Sequence, residues 1–123
     1  MKKVKVYNIK PVFSDKRGHI FDILESKVEH IGMVTFSKKG LERGRHYHNK
    51  SVQYSYVLSG KVKLVTSDLK GGEKQEFILE KSTFAVIPPK TIHTYQSLGK
   101  AEMLDMTTVS RKHKGYEKDT VRV

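Results

Sequence analysis

A chain of 123 residues suits one domain built round one modest core. Hydrophobic residues make up 37% and charged residues 30%, which excludes a disordered chain, and the lack of cysteine excludes disulfide and thiol chemistry. The formal charge of +11, from 24 Lys+Arg against 13 Asp+Glu, draws anions such as phosphorylated small molecules, nucleic acid or anionic lipid, unless it is only a solvated lysine-rich surface.

In chain order, the predicted elements are short strands. The basic start Met1-Lys2-Lys3-Val4-Lys5 is followed by no apolar signal segment, and no run approaches the roughly 20 residues that span a bilayer. A cytoplasmic protein with no membrane partner is expected. Val4-Lys5-Val6-Tyr7 alternates weakly. Ile20 to Leu24 reads as a strand interrupted by Asp22, and Met33 to Phe36 as another. Val52, Tyr54, Tyr56 and Leu58 alternate with Gln53, Ser55 and Val57, and Val62, Leu64 and Thr66 keep the same period of two. Phe77 to Leu79, Phe84 to Ile87 and Met103 to Val109 complete the series. Turn signals divide the runs at Asp15-Lys16-Arg17-Gly18, Lys39-Gly40, Ser59-Gly60, Lys70-Gly71-Gly72 and Pro88-Pro89. From about Arg111 the pattern is lost, as in a tail that docks on another element. Many short strands between regular turns predict an all-β sandwich or barrel in one domain. The basic residues are scattered, densest at Arg111-Lys112-His113-Lys114. They are not interleaved with aromatics, so no nucleic-acid partner is expected.

One constellation carries chemistry. Gly40 is followed after five residues by His46 and then His48. Gln53 stands four residues past the pair, and Gly60 six further on. Residues two apart on a strand share a face, so His46 and His48 project together, with Gln53 facing them from the next strand. A second segment runs Ser82, five residues, Pro88-Pro89-Lys90-Thr91-Ile92-His93, and brings a third histidine toward the same place. Tyr47 between the pair reads as packing, and the prolines as a strand entry.

These spacings resemble the two motifs of the cupin family. Gln53 replaces the first motif's glutamate. Ser82, Lys90 and Ser97 replace two glycines and an asparagine of the second. The resemblance implies a single-domain cupin jelly-roll β-barrel over residues 1–123. Within cupins the chain is similar to the nucleotide-sugar branch: dTDP-4-keto-6-deoxyhexose 3,4-ketoisomerases, dTDP-4-dehydrorhamnose 3,5-epimerases and the cupin domain of capsule-building sugar reductases. Asp15-Lys16-Arg17-Gly18, Arg43-Gly44-Arg45-His46-Tyr47-His48, Gln53 and the closing Tyr116-Glu117-Lys118-Asp119-Thr120 carry that similarity.

By this resemblance His46 and His48 are the acid/base pair, with His48 slightly favoured as the base. Arg17 and Arg43 would hold the diphosphate, and Gln53, His93 and Tyr95 would bind substrate. A nucleotide sugar is the implied partner. No cofactor or metal is implied, and a homodimer is. The resembled ketoisomerases carry tyrosines on the strand before the histidines, where this chain has Met33, Val34 and Thr35. The missing hydroxyl could come from Tyr47, Tyr54 or Tyr95. The carboxylate partner that epimerases give their histidine has no evident counterpart, Asp105 being a weak candidate. Two other readings compete: a metal-dependent cupin using His46, His48, Gln53 and His93, and a non-catalytic sugar-binding cupin.

Overall fold

The computed structural model describes residues 3–123; Met1 and Lys2 of the basic start lie outside the described residues. Twelve strands form in chain order: β1 Lys5–Asn8, β2 Phe13–Asp15, β3 Gly18–Ile20, β4 His30–Phe36, β5 Glu42–His48, β6 Gln53–Ser59, β7 Lys61–Asp68, β8 Gln75–Glu80, β9 Thr83–Ile87, β10 Thr91–Ser97, β11 Ala101–Thr107 and β12 Thr120–Arg122. A 3-10 turn, Lys112–Lys114, and one short helix, α1 Gly115–Asp119, precede β12. Among the described residues the strands make two five-stranded sheets, β1-β9-β6-β11-β4 and β12-β5-β10-β7-β8, with β2-β3 as a separate hairpin. Every pairing is antiparallel. This is the expected all-β jelly roll.

The period of two decides which side chains lie between the sheets. On β6 the inward series is Gln53, Ser55 and Val57, and on β7 it is Val62, Leu64 and Thr66, all buried. The inward series of β11 is Ala101, Met103, Asp105 and Thr107. Each series passes from apolar to polar along its strand. One end of the sandwich is therefore an apolar core of Phe36, Val57, Val62, Leu64, Leu79, Ile87 and Met103. The other end collects Gln53, Ser55, His93 and Asp105, and such polar groups are buried at a cost unless they serve a site.

Two expectations need correction. Ile20 to Leu24 is not a strand: Ile20 ends β3 and the residues after it are irregular. Ile23 and Leu24 instead pack with Val28 on Tyr56, Phe84 and Met106, on the outer face of the first sheet. The run is apolar because it covers that face, not because it pairs. The tail after Arg111 does dock, as expected, but it also forms a strand. Thr120, Val121 and Arg122 of β12 pair with His48, Tyr47 and His46 of β5.

Candidate active site

His46 and His48 lie on β5 and His93 on the neighbouring β10, where His93 and His46 are register partners. The ring centroids are 5.0 Å apart for His46–His48, 4.7 Å for His46–His93 and 5.3 Å for His48–His93. Local backbone chemistry makes this approach possible. Gly44 has φ +102°, and a Cβ there would sit 2.7 Å from the His93 carbonyl oxygen. Arg45 follows at φ +56°, and the β5–β10 register shifts between His93 and Thr94. The bulge lets β5 lie against His93. At the far end of β5, Lys90 N–H donates to the His48 carbonyl at 2.7 Å and ties the start of β10 to the pair.

The three imidazoles differ in their partners. His93 is wholly buried; its Nδ1 meets the Thr91 carbonyl at 3.0 Å, so it donates, and its Nε2 has no partner. Burial lowers its pKa to about 3. His46 is lowered to about 4, by burial first and then by the charges of His48, Arg122 and Arg111. Both rings are therefore neutral at pH 7. His48 is also lowered by burial, opposed by its bond to Gln53 and by Asp119. Its Nε2 lies 2.7 Å from Gln53 Oε1 and its Nδ1 3.1 Å from Thr120 Oγ1. The Thr120 hydroxyl donates to the Tyr116 carbonyl, so Nδ1 is the donor toward Thr120. An amide oxygen at Nε2 suits the imidazolium, and the same amide turned over suits the neutral ring. The network can carry His48 in either state.

The tail completes the site. Tyr116 sets its ring 5.6 Å from His48 and 6.4 Å from His46. Asp119 accepts from the backbone N–H of Lys50 at 2.7 Å and Ser51 at 3.0 Å, and its Oδ2 lies 3.9 Å from His48 Nδ1. It sets a carboxylate near His48, at a position the sequence reading did not single out. The only earlier signal was the acidic, tyrosine-bearing tail.

A cavity of about 340 Å³ opens beside the cluster, lined among others by His46, Gln53, Tyr95, Asp105, Tyr116 and three arginines, Arg43, Arg111 and Arg122. Arg43 donates to the Thr35 carbonyl at 3.3 Å and lies over Phe36, while Arg111 stacks 4.2 Å from the Tyr116 ring centroid. Arg111 and Arg122 were not singled out as site residues, because only the β12–β5 pairing brings them here. His48 and His93 stand behind His46 rather than on the cavity wall. Tyr95 is buried, and its hydroxyl is taken up by Gln53 and Ser55, so it braces the wall. Tyr47 and Tyr54 do not line the cavity, and Tyr54 packs on Phe84. Arg17 lies elsewhere: it sits in the β2–β3 turn, 86% exposed, bound to Asp15 at 2.6 Å.

The comparisons agree on the fold. A sugar 3,4-ketoisomerase from Thermoanaerobacterium thermosaccharolyticum in complex with TDP superposes with TM-score 0.80 at 23% identity, over 98% of this chain and 88% of that one. A 3,4-ketoisomerase from Helicobacter canadensis gives 0.83 at 18% identity, over 100% and 92%. The dTDP-6-deoxy-D-glucose-3,5-epimerase of Legionella pneumophila, in complex with dTDP-4-keto-L-rhamnose, gives 0.77 at 20% identity, over 98% and 72%. These likenesses show a shared all-β jelly-roll fold. No curated protein matches the chain. One family model matches residues 13–121, nearly the whole chain, and on that match the chain belongs to the polysaccharide biosynthesis C-terminal domain family.

Proposed function

We propose that this protein is an isomerase of a nucleotide-linked 4-keto sugar, shifting the ketone or inverting the carbon beside it by histidine proton transfer. The observation that carries this reading is the neutral His46 imidazole on the wall of a cavity rimmed by Arg43, Arg111 and Arg122. A neutral imidazole can take the proton beside a ketone and return it. Guanidinium groups match the oxygens of a diphosphate, and the net charge of +11 steers such an anion inward. Binding the remote diphosphate places the ring carbon against the imidazole. The solved structures of like fold, described as ketoisomerases and an epimerase with TDP or a keto sugar bound, support the same class.

In this reading His46 makes the direct contact, in place of the slight preference for His48. His48, braced by Gln53, Thr120 and Asp119, is the second proton reservoir behind it. Arg17 enters the site only if a second subunit carries its hairpin there. A homodimer is part of the proposal, as are a cytoplasmic location and a role in surface-polysaccharide or deoxysugar synthesis. No helix among the described residues is long and apolar enough to cross a membrane.

A second reading has its own observation. Ligand atoms of His46, His48 and His93 lie within 4.8 Å of one another. Neutral imidazoles suit zinc or another late divalent ion. Against it, His48 has partners at both ring nitrogens.

The test is turnover of dTDP-4-keto-6-deoxyglucose by chelator-treated protein, with products identified by proton NMR. His46→Asn and His48→Asn should each lower kcat by roughly a hundredfold or more, the scale of a general acid/base group. Arg43→Ala should act mainly on KM. Unchanged kcat in both histidine variants rejects the acid/base assignment. Activity lost to the chelator and restored by a divalent metal selects the second reading.

A further inference from the structure

β11 carries a carboxyl where its inward series calls for a core residue. Asp105 is 8% exposed, and its Oδ1 is buried without a hydrogen-bond partner. An unpaired buried carboxyl is unfavourable for folding, so this residue is not explained by stability. It lines the cavity beside the histidines together with His46, and with Arg43 and Arg111 it also lines a second hollow that runs along β4 to His30.

The neighbouring wall shows what it could serve. β4 pairs with β11 so that Gly32 lies opposite Asp105 and Val34 opposite Met103. Val34 lines the cavity and Met33 faces solvent. To the cavity beside the histidines β4 therefore offers no hydroxyl, Thr35 lining only the second hollow. Tyr95 offers none either, since its hydroxyl is engaged and its burial keeps it protonated. Tyr116 lies on the histidine side.

We propose that Asp105 is the second catalytic acid/base of this site, the carboxyl that exchanges protons with the sugar oxygens while His46 moves the carbon-bound proton. The assignment rests on the keto-sugar reading above. In a ketone shift, the neutral His46 imidazole takes the proton from the carbon bearing the neighbouring hydroxyl. The carbonyl oxygen meanwhile takes the Asp105 proton, leaving an enediol, an imidazolium and a carboxylate. The carboxylate then removes the proton of the other enediol hydroxyl as the new carbonyl forms. The imidazolium, after exchanging its proton with solvent through the cavity, delivers one to the old carbonyl carbon. Both groups return to their starting states, with no oxidant or reductant consumed.

The groups around Asp105 fit this use. The titratable and charged groups that share these hollows with it are His30 from β4, Glu42, Arg43 and His46 from β5, Tyr95 from β10, Arg111 and Tyr116 from the tail, and Arg122 from β12. Burial raises the carboxyl to about 6, with Arg111 pulling the other way. A bound diphosphate would neutralise Arg111 and push the carboxyl further up. The acid must start protonated, so turnover should fall as pH rises through an apparent pKa at or above about 6.

The experiment uses the full chain with dTDP-4-keto-6-deoxyglucose, comparing wild type and Asp105→Asn across pH, with TDP affinity measured by calorimetry. The proposal expects TDP affinity within about twofold of wild type and kcat lower by roughly a hundredfold or more. It also expects the residual activity to lose its alkaline limb. Unchanged kcat, or a loss confined to KM, overturns it and leaves the isomerase reading standing. If Asp105→Asn does not fold, the wild-type profile decides: an alkaline limb supports the proposal, and a flat one overturns it. A wild type that binds TDP yet turns over no keto-sugar nucleotide overturns both.

Discussion

The buried imidazoles that equip the site also tie stability to pH. His46 and His93 are held at about 4 and about 3, against an ordinary value of 6.5. Between 6.5 and these values the unfolded chain binds protons that the folded chain refuses, so stability falls as pH falls. Asp105 works in reverse. Raised from 3.8 to about 6, it holds a proton in the folded state that the unfolded state releases, and so adds stability on acidification through that window. His30 and His48 are lowered as well, so four histidines against one aspartate leave a net loss. The melting temperature should drop between about pH 7 and pH 5, and His93→Asn should flatten that drop, read by calorimetry across pH. An unchanged slope in the variant would mean that His93 takes up its proton equally in the folded and unfolded states. At this scale much was legible. Strand periodicity sets His46 and His48 on one face, and the motif spacing pointed to Gln53 and His93 on other strands as their neighbours. Asp105 sits on a strand that was read, but only the pairing of β11 with β4 and β6 shows that a cavity opens beside it. Its importance was not legible for that reason.

At the scale of elements, the second motif is kept in conformation though not in composition. Ser82 and Lys90, which stand where the cupin pattern has glycine, have φ +71° and +60°. The left-handed region costs a residue with a Cβ about 1–2 kcal/mol. The strain is held because each turn fastens strands: Ser82 N–H donates to Val57, and Lys90 N–H to His48. Ser82→Gly and Lys90→Gly should each stabilise the fold by about 1 kcal/mol, less the extra freedom glycine gives the unfolded chain, as measured by urea denaturation. Destabilisation by both would show that the side chains, not the backbone, set these turns. Elements without local periodicity were the ones misread. Phe21 to Leu24 has the composition of a strand, but its burial comes from lying across another sheet's face. The tail has no alternation, because β12 is three residues long and is made by pairing with β5, some seventy residues earlier. Arg111 and Arg122 were hidden as site residues for the same reason, and Tyr116 and Asp119 were visible only as part of the closing motif.

At the scale of the whole molecule, Tyr54, Tyr56 and Leu58 of β6 give the first sheet an apolar outer face. The structure covers part of it with the chain's own Ile23, Leu24 and Val28. Tyr7, Val12, Phe13, Ile20, Ile31 and Met33 remain exposed, Ile31 and Met33 on the edge strand β4. Edge strands and apolar surface of this kind favour a second subunit. Light scattering at micromolar concentration should give twice the chain's 14.1 kDa, and a monomer would remove the dimer from the account. The central claim is proton transfer at carbon beside a ketone, and it has a direct readout. Incubating the protein with dTDP-4-keto-6-deoxyglucose in D₂O and following the sugar by proton NMR should show deuterium entering the ring carbon next to the ketone, whatever product accumulates. Deuterium uptake that depends on His46 is the predicted result. A substrate that stays fully protonated at that carbon, while TDP is shown to bind, would contradict the account.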